Sequence, residues 1–358
     1  MTMDGNNLYL DRNNLYLAYL HDKLKSTIII VILIILLVLF VGIGIGVGLY
    51  SISIGDVYSI IINHIFCNNP IDTVDDKVVW NLRLPRVLTA VVAGIGLAVA
   101  GSAMQNMLKN PLADPYTTGI SSGACLGATI AITLGLPIVN TQYGIIINAF
   151  VLSLIPTLII LLITKYKRAT PETIILIGVT LMFLFDGISA FVMLKADPNS
   201  LAAAYEWTIG TLNKASWDNI LPMVLFVFPC SLLIFSTSRA LDTLNSGESF
   251  SKSLGINVDK MRVFLLVIIS MMVAGVISFT GVIGFIGLIS PHIARILIGS
   301  ENRPLIISSA LVGALLMVIA DILSKTISTS TLPIGIVTVM LGAPIFIVIY
   351  LKQKKVMW

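Results

Sequence analysis

The sequence predicts an all-α protein that crosses a membrane many times. Only 11% of its 358 residues are charged and 57% are hydrophobic, whereas a soluble chain carries about 25% charged residues. The mean hydropathy is +0.98. The apolar runs are continuous and close to the roughly 20 residues that span a 30 Å hydrocarbon core. A barrel would show alternating stretches of about ten residues instead. Helices therefore satisfy the backbone in lipid here.

Ten apolar segments can be marked, over residues 27–50, 87–108, 117–136, 144–164, 172–194, 219–238, 262–280, 282–299, 304–325 and 334–351. The eighth is short and interrupted by Pro291. With the N-terminus placed in the cytoplasm, sixteen Lys and Arg residues fall inside and six outside. That bias fits ten spans with both termini cytoplasmic. The expected organisation is a cytoplasmic extension over 1–26, a transmembrane domain over 27–352 and a cytoplasmic tail over 353–358. The first run lacks a small-residue cleavage site and reads as a retained helix. The extension holds a near-repeat, NNLYL at 6–10 and 13–17, which suits a short surface helix or a poorly ordered terminus.

Composition also excludes some functions. No stripe of basic residues tracks a nucleic acid. Cys67, Cys125 and Cys230 have no paired spacing, so neither a disulfide framework nor a zinc site is expected. No Gly-x-x-x-x-Gly-Lys-[Ser/Thr] loop is present, and any ATP hydrolysis belongs to another chain. A membrane enzyme needs convergent His, Asp or Glu groups, and none cluster. An ion-coupled carrier needs several intramembrane ionisable groups, and few are present. No metal site is expected. Of the three histidines only His292 lies in a span, and His21 and His64 fall on opposite sides.

Two connections are long. Residues 51–86 form an outer loop with Asp56, Asp72, Asp75 and Asp76. Residues 239–262 form an inner loop with the makings of two short amphipathic helices. Ser246 or Asp242 is a candidate N-cap, Glu248 complements a helix dipole and Gly255 is a candidate left-handed terminator. Leu241, Leu244, Phe250 and Leu254 supply an apolar face, for a cytoplasmic partner or for the lipid interface.

The second segment, VVAGIGLAVAGSAMQ, is rich in small residues and reads as a closely packed inner helix. KNPLADP (109–115) follows as a rigid turn. Arg83 and Arg86, in LRLPR, are either snorkelling anchors or a docking pair for carboxylates outside. Asp186 sits mid-helix, where a carboxylate faces a cavity or a hydrogen-bonding neighbour. Asp321 falls close to Lys325 and reads as structural. Pro291, His292 and Arg295 lie toward the inner end of the eighth segment. The proline bends the helix, and the histidine and arginine pin it beside the inner loop.

Several of these stretches together resemble the FecCD-type permeases: residues 82–128, GVIGFIGLISPHIARILIGSENR (281–303) and LPIGIVTVMLGAPIFI (332–347). The inner loop, with GE at 247–248 and SLGI at 253–256, is similar to that family's ATPase-contacting segment. EWTIGTL (206–212) resembles its outer-face motif. The resemblance implies the type II architecture of ABC importer permeases, a homodimer with ten helices per subunit. It implies two ATPase subunits using ATP and Mg2+, an extracytoplasmic substrate-binding protein, and an iron-siderophore, haem or cobalamin as cargo. Carried onto this sequence, Arg83 and Arg86 match arginines that meet the binding protein, and Lys325 stands where a third arginine is common. Leu244, Gly247, Glu248, Phe250, Leu254 and Gly255 are the expected ATPase-coupling residues. Asp186, Met104 and Met182 are the candidates for the translocation path. Asp186 replaces the small polar residue usual there, which suits a cargo with a positive or hydrogen-donating face.

Overall fold

The computed structural model describes residues 5–48, 50–67, 73–166, 170–327 and 331–352, all of them helical or in turns and connections. Each of the ten apolar segments corresponds to one helix. In chain order the helices are α1 (Gly5–Gly46), α2 (Ile54–Ile62), α3 (Val74–Asp76), α4 (Leu84–Leu108), α5 (Ile120–Thr133), α6 (Gly144–Tyr166), α7 (Pro171–Met193), α8 (Pro198–Ile209), α9 (Trp217–Ser236), α10 (Ser238–Asn245), α11 (Glu248–Ser253), α12 (Val258–Thr280), α13 (Ile286–Ile298), α14 (Asn302–Thr326) and α15 (Ile334–Lys352). Among the described residues seven stretches are long and apolar enough to cross a membrane, and α2, α5, α13 and α15 supply shorter apolar helices. The protein is a polytopic, all-α membrane protein. The near-repeat at 6–17 lies within α1.

One expectation is corrected within 51–86: residues 54–67 and 74–86 are helical rather than a loop, and residues 68–72, with Asp72, lie outside the described residues. Ser53 caps α2 by accepting from the Asp56 N–H at 3.2 Å, and Thr73 caps α3 by accepting from Asp76 in the same way. From Val74 the helix continues through a π-helical stretch, Lys77–Arg83, into α4 without a break. The motif LRLPR is thus inside a helix. His64 and Trp80 stack at 4.1 Å, Trp80 meets Trp217 at 5.1 Å, and His64 Nε2 lies 2.8 Å from Asp76.

Two helices form the centre. The apolar windows of α4 and α12 are 78% and 72% buried, against 28% for α7 and 22% for α9. The reason for α4 is its small residues. A Cβ at Gly94 would stand 2.4 Å from the carbonyl oxygen of Gly313, and one at Gly101 would stand 1.8 Å from that of Gly287. α14 and α13 therefore approach α4 backbone to backbone, which is how helices gain contact in lipid. α4 ends at Lys109, whose backbone is left-handed, and the turn after it is held by Asp114, which accepts from the Tyr116 N–H at 2.9 Å.

The two ends of the bundle differ. One face gathers α10, α11, the end of α4 and the starts of α12 and α14. The other gathers the end of α1, the start of α4, the ends of α12 and α14 and the start of α15. Gly210, Thr211, Thr280 and Gly335 meet there through backbone hydrogen bonds of 2.8 and 3.2 Å.

Candidate functional site: the coupling loop and the charged face opposite

The inner loop folds into α10 and α11, as its residue pattern predicts. Gly255 stands at φ +82 just past α11. Its N–H bonds the Lys252 carbonyl and that of Ile256 bonds the Ser251 carbonyl, both at 3.0 Å, the paired pattern that a left-handed glycine allows. The N-caps differ from expectation. Ser246 instead donates back to the Asp242 carbonyl at 3.4 Å. Asp242 reaches out of the loop and accepts from the N–H and Nδ2 of Asn302, at 2.9 and 2.8 Å, at the start of α14.

Two further bonds tie the loop to the bundle. Asn245 Nδ2 donates to Asn106 Oδ1 at 3.2 Å, at the end of α4. Arg262 of α12 donates to the Glu248 carboxylate, which holds that carboxyl below its usual range. Arg262 is itself buried. The loop is thus fastened by side chains to α4, α12 and α14. The Asn245–Asn106 and Asp242–Asn302 bonds were not legible in the sequence, because the partners are 139 and 60 residues apart.

The expected coupling residues divide into two groups. Phe250 and Leu254 are 51% and 56% exposed, large apolar side chains facing away from the bundle. Gly247 and Glu248 lie beside them at the start of α11. Leu244 is instead fully buried, on the side of α10 that packs against the bundle.

On the opposite face the three expected docking cations are buried and engaged within the chain. Arg83 donates to the carbonyls of Ile45, Gly46 and Tyr50 and so closes the end of α1. Arg86 donates to Asp321 at 2.6 Å, Asn213 at 2.6 Å and Ser324 at 3.0 Å. Lys325 lies 2.5 Å from the other oxygen of Asp321. The buried carboxylate joins two cations, as its proximity to Lys325 in sequence suggests. Contact between these cations and a partner requires exchange of these internal bonds. Nearby, a cleft of about 340 Å³ opens among Lys214, Asp218, Asn219, Thr211 and Tyr143.

The translocation candidates also separate. Asp186 is exposed on α7. Met182 is half-buried. Met104 is fully enclosed in α4, which removes it from any open path in this conformation. Pro291, His292 and Arg295 are buried in α13. His292 meets Phe346 of α15 edge-on at 5.6 Å. Arg295 Nη1 lies 3.5 Å from Gln105 Oε1, and Gln105 Nε2 donates to the Leu288 carbonyl at 3.1 Å. Gln105 of α4 therefore grips α13 one turn away from the Gly101–Gly287 contact.

Known proteins are similar to this chain. A protein of Methanocaldococcus jannaschii assigned as an ABC transporter permease is 40% identical over 86% of this chain and 91% of its own length. The vitamin B12 import system permease protein of Vibrio cholerae is 34% identical over 77% and 83%. A solved structure of an ABC transporter assigned to the metal-chelate type, in an inward-facing conformation, superposes with a TM-score of 0.81 at 30% identity and covers 91% of this chain and 99% of that one. The pattern of one transport family matches residues 32–352, and the chain belongs to that family, the FecCD transport family.

Proposed function

We propose that the chain is the membrane permease subunit of an ATP-driven importer that carries a metal chelate, of the iron(III)-siderophore class, into the cell. The observation that carries the proposal is the coupling loop. It presents exposed Phe250 and Leu254 outward and is bonded inward to α4, α12 and α14. A separate pair of ATPase subunits, using ATP and Mg2+, would press on this surface from the cytoplasm. Both chain ends then lie in the cytoplasm, since α1 ends and α15 begins on the opposite face. A second copy of the chain completes the path, with the sparsely covered α7 and its Asp186 toward it. A binding protein delivers cargo to the outer face, near the Arg86–Asp321–Lys325 network. The chain performs no chemistry on the cargo. Loose apolar contact along the path favours release, because tight binding would trap a bulky chelate.

The metal-chelate assignment of the structural relative supports the cargo class. The B12 relative favours a corrinoid as the second reading. The test is uptake into vesicles holding the chain with its ATPase and binding protein, offered a ferric siderophore, hemin and cyanocobalamin in turn. ATP-dependent entry of the ferric siderophore is expected. Preferential entry of cyanocobalamin or hemin would replace the cargo, and uptake driven by an ion gradient without ATP would overturn the importer reading.

A further inference from the structure

A second cavity lies away from the proposed coupling site. It has a volume of about 830 Å³ and lies between α1, the end of α9, the end of α13 and the start of α14. Four cations line it, Lys23, Lys25, Arg295 and Arg303, against two carboxylates, Asp22 and Glu301. One of the carboxylates, Asp22, already has His21 at 3.9 Å. Arg303 is steadied by the ring of Phe235, 5.8 Å from its guanidinium carbon.

The depth of these groups is set by the helices that carry them. Lys23 and Lys25 stand at the start of the apolar stretch Leu20–Gly46. Arg295 is in the last turn of α13 and Arg303 in the first turn of α14. All four thus lie where spans end, at the level of lipid headgroups. The rest of the wall is apolar, with Ile30, Ile296 and Ile307. Ile296 and Ile307 are 51% and 39% exposed. A small soluble anion would meet the cations but leave these isoleucines uncovered. A zwitterionic headgroup would leave the excess positive charge unmatched.

We infer that this cleft is a binding site for an anionic phospholipid, with the headgroup phosphate among Lys23, Lys25 and Arg303 and acyl chain against Ile30, Ile296 and Ile307. Basic pockets between spans on a cytoplasmic face take such headgroups for this reason. The site is distinct from the coupling loop and does not depend on which chelate is carried. A lipid there would join α1 to α13 and α14 beside Arg295, the residue held by Gln105.

The test is native mass spectrometry of the full-length chain in detergent, offered equal amounts of dioleoyl phosphatidylglycerol and dioleoyl phosphatidylcholine. The expected result is preferential retention of phosphatidylglycerol. Lys23→Gln, Lys25→Gln and Arg303→Gln should each lower that preference by about fivefold, the effect of one headgroup-level cation. Adducts of phosphatidylcholine, whose choline offsets the charge of its phosphate, should fall less. Ile296→Ser with Ile307→Ser should weaken retention of both lipids. Equal retention of the two lipids by the unaltered chain, or an unchanged preference in the three cation variants, overturns the inference. Displacement by millimolar glycerol 3-phosphate would make the cleft a soluble-anion site and also overturn it. Loss of the lipid when ATPase subunits are added would make it a protein contact, with the same consequence. If Arg303→Gln fails to fold, Lys25→Gln alone decides by the same ratio.

Discussion

Replacement of Gly101 by Ala tests the central packing directly. The added methyl would lie 1.8 Å from the Gly287 carbonyl oxygen and 2.5 Å from its carbon, both backbone atoms. A carbon and a carbonyl oxygen approach no closer than about 3.3 Å, so α4 and α13 must part by about 1.5 Å. No side chain can rotate away to relieve this. Overpacking of a close-packed contact costs about 1–3 kcal/mol, and a backbone neighbour puts the substitution at the upper end. Removal of a helix glycine returns up to about 1 kcal/mol. The net expectation is a loss of about 1–2 kcal/mol. The Gln105–Leu288 bond, now 3.1 Å, lies one turn away and breaks with the separation. Gly187→Ala, in the middle of α7, is the matched control, because its methyl meets nothing within 4 Å. The assay is thermal unfolding of the purified chain in detergent, followed by ATP-driven uptake in vesicles. Gly101→Ala should melt earlier and transport poorly, and Gly187→Ala should melt at or slightly above the unaltered chain. Equal melting of the two variants would refute the claim that backbone contact between α4 and α13 organises the bundle.

Other substitutions probe the two faces. Asp321→Asn leaves Arg86 and Lys325 buried without their carboxylate and should destabilise the chain by about 3–5 kcal/mol; adding Lys325→Met should recover part of that, and an unchanged melt in the single variant would count against the network. Asp242→Ala removes both bonds to Asn302 and should lower uptake per ATP hydrolysed while hydrolysis continues; an unaltered ratio would show that the α10–α14 link carries no coupling. Phe250→Ala with Leu254→Ala should weaken binding of the ATPase subunits at least tenfold, read by co-purification, with the melt unchanged; full co-purification would remove these side chains from the contact. Asp186→Asn should change the uptake rate of the native cargo at normal expression, and an unaltered rate would assign the carboxylate a structural role.

The helices were legible because their signal is local. Ten apolar runs gave ten helices, and Gly255 announced the end of α11. The segment 51–86 was misread although its local signal was present. Ser53-x-x-Asp56 and Thr73-x-x-Asp76 both fit the capping pattern, and Val57, Ile60 and Val79 supply the buried side chains. Its aspartates drew attention as loop residues when two of them mark helix starts. The site was only half legible. An exposed Phe250 follows from amphipathic spacing, whereas the inward turn of Leu244 depends on α10's docking against the bundle. Arg86 was noticed as a charge, but its partner Asp321 is 235 residues away. No local pattern encodes such a distance, and the same holds for Asp242 with Asn302 and for Asn106 with Asn245.

These distant pairs define how a push on the loop would travel. α4 and α14 are bonded near one face through α10, by way of Asn245–Asn106 and Asp242–Asn302. Along their length they touch backbone to backbone at Gly94 and Gly313. At the opposite face Arg86, Asp321, Ser324 and Lys325 lock them again. Two helices held at both ends and in the middle cannot slide past each other, so α10, α4 and α14 respond as one body, with α13 attached through Gln105. α11 is fastened instead to α12 through Glu248 and Arg262. The loop therefore grips both buried central helices by different handles. A partner that changed the angle between α10 and α11 would act on α4 and α12 separately, and Gly247 joins the two handles at φ +133, where an added Cβ would meet only Phe250, at 3.9 Å. In the proposed importer the two handles would turn about Gly247, because the side-chain bonds to the bundle lie on either side of it.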